Sequence, residues 1–208
     1  MPIKAITFDL WNTLIRDTNP TSHNNLMKYI AEKLGKSYAN NMSVKKQTKD
    51  EFLHYFKSVV GYKEMKHVDA LIRKHTESFT EFTDFECIVP LMKKYKLGII
   101  SNASFVTGEC LKDWGYAKLF DSIIISYQYE MQKPDKEIFE ICAKKMNVKL
   151  NEMLHVGNDY KNDYSIPKEQ SINTLLLDRK NEHKEVKEKI TSLKSLKKYL
   201  EKQEKEKH

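Results

Sequence analysis

Five short apolar runs punctuate the chain: KAITF (4–8), LGIIS (97–101), SIIIS (122–126), MLHVG (153–157) and NTLLL (173–177). Near-continuous runs of Ile, Leu and Val predict strands buried on both faces, as in a parallel sheet covered by helices. Around the later runs the apolar positions change to helical spacing. FECIVPLMKKY precedes the second run, FVTGECLKDWG follows it, and DKEIFEICAKKMN precedes the fourth. Strands alternating with helices imply right-handed crossovers, so the predicted class is α/β with a doubly wound parallel sheet.

The stretch between the first two runs breaks this rhythm. Residues 16–84 hold no convincing strand but several amphipathic segments, among them NNLMKYIAEKLG, KDEFLHYFKSVVG and VDALIRKHTESFTEF. That length is far too great for one crossover helix. The pattern predicts a core built from 1–15 and 85–208, with a helical insertion at 16–84. Tyr29, Phe52, Tyr55 and Phe56 fall in the insertion at helical spacing, which reads first as its own packing and second as a pocket lining. Beyond residue 183, Val186, Ile190, Leu193, Leu196 and Leu200 recur at helical intervals. They predict a charged amphipathic helix laid on the core.

Composition narrows the class of partner. A hydrophobic fraction of 40% with 11% aromatics supports a packed fold. The net charge of +7 is almost all lysine, because Arg16, Arg73 and Arg179 are the only arginines. Lysine lacks the forked geometry that reads guanine and phosphate, so nucleic acid is not the expected partner. Cys87, Cys110 and Cys142 form no CxxC pair, which points to a reducing cytoplasm rather than a disulfide framework. The chain has no membrane-spanning stretch and no signal-peptide pattern at its start. A small-molecule substrate is the expected partner, and oligomeric state is left open.

Candidate chemistry gathers where the strands end. In open α/β sheets ligands bind beyond the carboxyl ends of the strands. The first run ends at Asp9, with Asn12 and Thr13 following, and the second at Ser101 and Asn102. The fourth ends at Gly157, followed by Asn158, Asp159, Asn162 and Asp163. Lys133 lies in MQKPDKEIF, where Asp135 stands ready to cap the next helix. Each alone has a plain reading as a turn, cap or surface residue. Together they supply a carboxylate nucleophile, a cation beside it, a hydroxyl, and oxygen ligands of the kind Mg²⁺ takes.

In order and strand context these motifs resemble the haloacid dehalogenase-like (HAD) hydrolase superfamily. FDLWNTL resembles its first motif, IISNAS its second, KPDKEIFE its third and HVGNDYKNDY its fourth. The resemblance runs along essentially the whole chain, and the insertion falls where members with small helical caps carry theirs. It implies a Rossmann-like core and a Mg²⁺-dependent hydrolase, most often a phosphatase of small phosphorylated metabolites. Asp9 is then the nucleophile of an aspartyl intermediate. Ser101 would hold the transferring group with Asn102 as backbone support, and Lys133 would neutralise its charge. Asp9, the main-chain carbonyl of Trp11, Asn158, Asp159 and Asp163 would supply the metal site.

Two positions depart from the pattern. Phosphatases of the family usually carry a second aspartate two residues after the nucleophile, which protonates the leaving alcohol; here Trp11 stands in its place and has no proton to exchange. Trp11 reads either as packing beneath the cap or as an apolar substrate wall. In the fourth motif Asn158 takes the place of an aspartate, which lowers the site's charge by one, unless Asp159 takes over. Three functions follow: a phosphatase with an atypical site, a 2-haloacid dehalogenase-like hydrolase, or a weakly catalytic binding or regulatory protein. Of the histidines, His54, His67, His75 and His155 form no ligand cluster by spacing, and His155, within a strand, reads as packed core.

Overall fold

The computed structural model describes residues 2–205. The chain begins with strand β1 (Ala5–Phe8), turns through the loop carrying Asp9 to Thr13, and enters a short strand β2 (Ile15–Asp17). Four helices follow: α1 (Pro20–Leu34), α2 (Lys36–Asn40), α3 (Lys49–Val60) and α4 (Tyr62–Thr76). Strand β3 (Phe79–Glu81) then pairs antiparallel with β2, so the helices hang from a two-stranded stalk. β4 (Lys96–Ser101), α5 (Phe105–Asp113), β5 (Ser122–Ile125), α6 (Lys136–Lys145), β6 (Met153–Gly157), α7 (Ile166–Glu169) and β7 (Asn173–Leu177) continue the chain. The chain then closes with β8 (Lys189–Ile190) and α8 (Leu196–Lys205).

Six strands form one parallel sheet in the order β5-β4-β1-β6-β7-β8. β1 lies at the centre, between β4 and β6, and all four of its residues are buried. The carboxyl ends of β1, β4 and β6 therefore share one edge, which brings Asp9, Ser101 and Gly157 together. This is the doubly wound α/β architecture that the apolar runs predict. Among the described residues no helix is long and apolar enough to cross a membrane.

Local chemistry sets the helix joints of the insertion. Gly35 and Gly61 sit at φ of 91° and 93°, a region hostile to side chains, and they separate α1 from α2 and α3 from α4. Thr48 and Glu51 start α3 with a reciprocal capping box, 3.2 Å from Glu51 N to Thr48 Oγ1 and 2.7 Å from Thr48 N to the Glu51 carboxylate. Such a cap contributes about 1 kcal/mol. Phe52 and Phe56 are fully buried, and Phe52 packs on Phe105 of α5 with ring centroids 5.2 Å apart. Phe52 and Phe56 are thus packing residues, Tyr29 is half-buried, and Tyr55 is exposed.

Three segments differ from the periodicity reading. The stretch 16–84 does contain strand, because β2 ends and β3 lies within it; each is only three residues long and too short to show a pattern. FECIVPLMK forms a tight 3₁₀ run over Phe85–Lys93, since Pro90 removes a donor and obstructs α-helical continuation. The segment after residue 183 is not one helix. Ile190 joins the sheet edge, Ser192 Oγ accepts from Lys194 N in a turn, and helix begins only at Leu196. The apolar stripe still packs as its spacing implies, with Val186, Ile190, Leu193, Leu196 and Leu200 all buried. Residues 206–208 of that segment lie outside the described residues.

Candidate active site

Lys133 is the hub of the sheet edge. Its ammonium donates to Asp9 Oδ1 at 2.7 Å and to Asp163 Oδ1 at 2.6 Å, and all three side chains are nearly inaccessible. Its backbone is fixed by Asn102, whose amide donates to Lys133 O at 2.9 Å and whose Oδ1 accepts from Lys133 N at 2.8 Å. The residue after Ser101 thus fixes the loop that carries the lysine. Asp135 occupies the N-cap position of α6, but its side chain makes no capping bond.

Asp163 is satisfied on every side. Oδ1 also takes His155 Nε2 at 3.2 Å, and Oδ2 accepts from Asp159 N at 2.9 Å. The carboxyl group lies so close to Gly157 that a Cβ there would meet it at 2.3 Å, which explains the bare residue. His155 Nδ1 is 3.0 Å from Thr7 Oγ1, its neighbour across the β1–β6 pairing. A neutral ring with its proton on Nε2 satisfies both contacts. His155 is buried, as its strand position implies, and it also anchors Asp163. The only local signal for this is a polar residue in each of two apolar strands, at matching register.

The charges follow from this packing. Burial pushes the Asp9 carboxyl up to about 6; the Lys133 charge opposes the rise, and Asp163 adds to it. Burial also acts on Asp163, but the Lys133 ammonium and His155 hold it well below the usual carboxylate range. Burial disfavours the charged form of Lys133, yet the two carboxylates outweigh it and raise its pKa. Burial lowers that of His155.

The fourth-motif residues divide. Asn158 Oδ1 lies 3.1 Å from Thr13 Oγ1, which is also 3.3 Å from Asp9 Oδ2, so one hydroxyl bridges both. Asp159 instead accepts from Lys161 N and Asn162 N at 2.9 and 2.8 Å, capping its own turn. Ser101 Oγ is buried and has no hydrogen-bond partner among the described residues. Among these residues no group of three or more His, Cys, Asp and Glu side chains is placed to hold a metal. An oxygen-ligand site here would need the Asn158 amide and main-chain oxygen besides Asp9.

Arg179 braces the loop after Asp9. It donates to Thr13 O at 2.8 Å, clasps Asp84 through two 3.0 Å contacts, and lies 3.9 Å above the Phe82 ring. Sequence gave no hint of this, because residues 13, 84 and 179 share no local pattern.

A cavity of about 560 Å³ opens beside these strand ends, between α5 and the helical insertion. Trp11, Asn12 and Asn102 line its base, and Asp17, His23 and His75 line its wall. None of its lining residues, all within the described chain, is lysine or arginine. Trp11 meets Phe79 edge to face at 4.6 Å. Its ring both packs against the stalk and faces the cavity.

Comparisons with known proteins agree with this fold. The family model described as haloacid dehalogenase-like hydrolase matches residues 6–177. The glyceraldehyde 3-phosphate phosphatase of Methanothermobacter thermautotrophicus is 26% identical over 147 residues, covering 66% of this chain and 60% of that one. The chain spans between about a third and 60% of the length of this and two other relatives. A HAD phosphatase from Thermococcus onnurineus superposes with a TM-score of 0.66 at 20% identity, covering 95% of this chain and 98% of that one. A 2-haloacid dehalogenase from Pseudomonas syringae gives 0.69 at 18%, covering 96% and 99%. Other structures of this fold are magnesium complexes. The matched region covers more than half of the sequence and contains every motif at the sheet edge, so the chain belongs to the haloacid dehalogenase-like hydrolase family.

Proposed function

We propose that the chain is a Mg²⁺-dependent phosphatase of small phosphorylated metabolites, with Asp9 as nucleophile and the helical insertion as a cap over the site. The observation that carries this reading is the oxygen cluster of Asp9 Oδ2, Thr13 Oγ1 and Asn158 Oδ1 beside an Asp9 already paired with Lys133. Carbon–halogen hydrolysis has no need of such a set.

The donor chemistry fits a hard cation. Asp9, Asn158 and the main-chain carbonyl of Trp11 would hold Mg²⁺, all through oxygen. Asp159 is occupied by its turn, and Asp163 serves the metal site through Lys133 and the loop. Mg²⁺, when bound by these oxygens, would supply charge to offset that of a transferring phosphoryl group. Asp9, Asp163 and Lys133 alone sum to one negative charge, which suits a cation and then a phosphate.

The chain's residues act in sequence. Lys133 holds the Asp9 carboxylate in place through Oδ1. Ser101 offers its unpartnered hydroxyl to a phosphoryl oxygen, and Asn102 keeps Lys133 in register. Asp9 attacks phosphorus and the alcohol leaves; water then cleaves the aspartyl phosphate. The cap excludes bulk water during these steps. Three free cysteines suit work in the reducing cytoplasm.

The aromatic Trp11 favours the dehalogenase-like reading as a rival, because halide leaves without a proton. That rival needs a cation to clamp the substrate carboxylate, and the cavity lining supplies no lysine or arginine. Aryl and sugar phosphates tested with and without Mg²⁺, beside halide release from chloroacetate, separate the two. Mg²⁺-dependent phosphate release supports the proposal. Halide release without phosphate release refutes it, and turnover of neither substrate points to a binding protein.

A further inference from the structure

Arg179 joins the segments that meet behind the nucleophile loop. It follows Asp178, whose amide donates to Ile190 O at 2.8 Å, so its base is fixed on the sheet. Its guanidinium reaches both linkers between the core and the insertion. On the outgoing linker Nη2 donates to Thr13 O at 2.8 Å and Nε to Asn12 O at 3.3 Å. On the returning linker Nη1 and Nη2 donate to the two oxygens of Asp84 at 3.0 Å each, and the group lies over the Phe82 ring.

Asp84 is buried and holds other partners besides. Its Oδ2 also accepts from Ser192 Oγ at 2.7 Å and from Leu193 N at 2.9 Å. Burial works against its charge, but Arg179, Ser192 and the Leu193 amide together hold its pKa below the usual carboxylate value. A fixed anion therefore orients the guanidinium, whose remaining donors fall on the two loop carbonyls. Only a planar fork serves both at once; a lysine ammonium does not.

Those carbonyls belong to the tightest part of the loop. Asn12 stands at a left-handed φ of 59°, and Leu10 O accepts from Leu14 N and Ile15 N at 2.9 and 3.0 Å as the chain doubles back. Holding Asn12 O and Thr13 O fixes the peptide planes on both sides of the Thr13 Cα, and so the direction of its side chain. Thr13 is fully buried, and its Oγ1 lies 3.3 Å from Asp9 Oδ2 and 3.1 Å from Asn158 Oδ1. Lys133 holds the other Asp9 oxygen, Oδ1, at 2.7 Å. Each oxygen of Asp9 thus has its own support, and that of Oδ2 leads through one residue to Arg179.

We propose that Arg179, oriented by Asp84, is a positioning residue of this site: it aims Thr13 Oγ1 at Asp9 and Asn158, and it fastens that loop to both linkers of the insertion. The inference rests on the phosphatase reading. Arg179 touches neither the nucleophile nor the transferring group, and it acts through Thr13.

The test uses Arg179→Lys, which leaves Asp84 a cation and so should fold, but which lacks the fork. Its kcat on p-nitrophenyl phosphate with Mg²⁺ should fall by about tenfold or more, within the range that a misplaced reacting group costs. Thr13→Val, which removes only the hydroxyl, should give a loss of its own. The double variant should lose no more than the worse single one, because both changes break one path. A second readout needs no substrate. Amide hydrogen exchange in Arg179→Lys should speed at residues 10–15 and 82–85 together, while the β1 amides keep their rate. Wild-type kcat in Arg179→Lys, losses that multiply in the double variant, or unchanged exchange in both segments would each overturn the positioning role and leave the phosphatase intact. A wild-type protein that releases no phosphate overturns the phosphatase reading, and the positioning role with it.

Discussion

The sheet edge and the cavity wall both hold carboxylates, buried at the edge and half-buried at the wall, yet they are built on opposite terms. At the sheet edge Asp9, Asp163, Lys133 and His155 lie within hydrogen bonds of one another, and almost every polar atom is spoken for. At the wall, the chain Asp17, His75, His23 ends in an open nitrogen, and its links are longer, at 3.6 and 3.2 Å. The first region fixes charge in place, as a nucleophile and its counter-ion require. The second leaves His23 exposed to the cavity, held at one ring nitrogen only. A site that binds a phosphoryl group needs the former.

The largest test of this contrast is Asp9→Asn. It keeps shape and burial but removes the nucleophile, so turnover should fall by at least about 10⁴-fold while the melting curve survives. Retained turnover would remove Asp9 from the chemistry. Next comes Lys133→Met, which strands two buried carboxylates. Urea unfolding should show a loss of about 3–5 kcal/mol, the range for breaking a buried pair. A near-neutral effect would mean that the edge is less closed than its contacts indicate.

The wall should answer to pH instead. The folded pKa of His75 lies below its unfolded value of 6.5, at about 4. Its neutral form therefore stabilises the fold fully above about pH 6.5, and that contribution is lost as pH falls toward 4. The loss is at most roughly 3 kcal/mol. Unfolding curves across this window should slope for the wild type and flatten for His75→Phe. Equal slopes would assign the pH response to other groups. The smallest effect concerns Asn158→Asp, which adds one negative charge to the oxygen cluster. The Mg²⁺ concentration for half-maximal turnover should drop about tenfold, or about 1.4 kcal/mol. An unchanged requirement would separate residue 158 from the metal.

How far each region could be read in the sequence follows from how it is assembled. Five buried strands were legible because each is an unbroken apolar run, and the ends of those runs exposed Asp9, Ser101 and the residues after Gly157 as neighbours. β2, β3 and β8 were not, since strands of two or three residues carry no period. The helical spacing from Val186 to Leu200 correctly marked buried positions, but burial at such intervals is equally served by a strand, a turn and a short helix. Asp159 and Asn158 could not be told apart by spacing; backbone direction turns one into a cap and the other toward Thr13. Lys133 stood out beside Pro134, whereas His155 looked like core because it is core, and its bond to Asp163 is purely tertiary. His23 and His75 lie 52 positions apart on separate helices, and only the fold of the insertion brings them together.

The central claim is that Asp9 attacks phosphorus, after which water attacks phosphorus and not the Asp9 carboxyl carbon. Turnover of p-nitrophenyl phosphate with Mg²⁺ in heavy-oxygen water reads this directly, with mass analysis of both the released phosphate and the tryptic peptide from Ala5 to Arg16. The account predicts label in the phosphate and none in the Asp9 peptide. Label in the Asp9 peptide during turnover, the outcome expected when water opens a carbon ester, would contradict it.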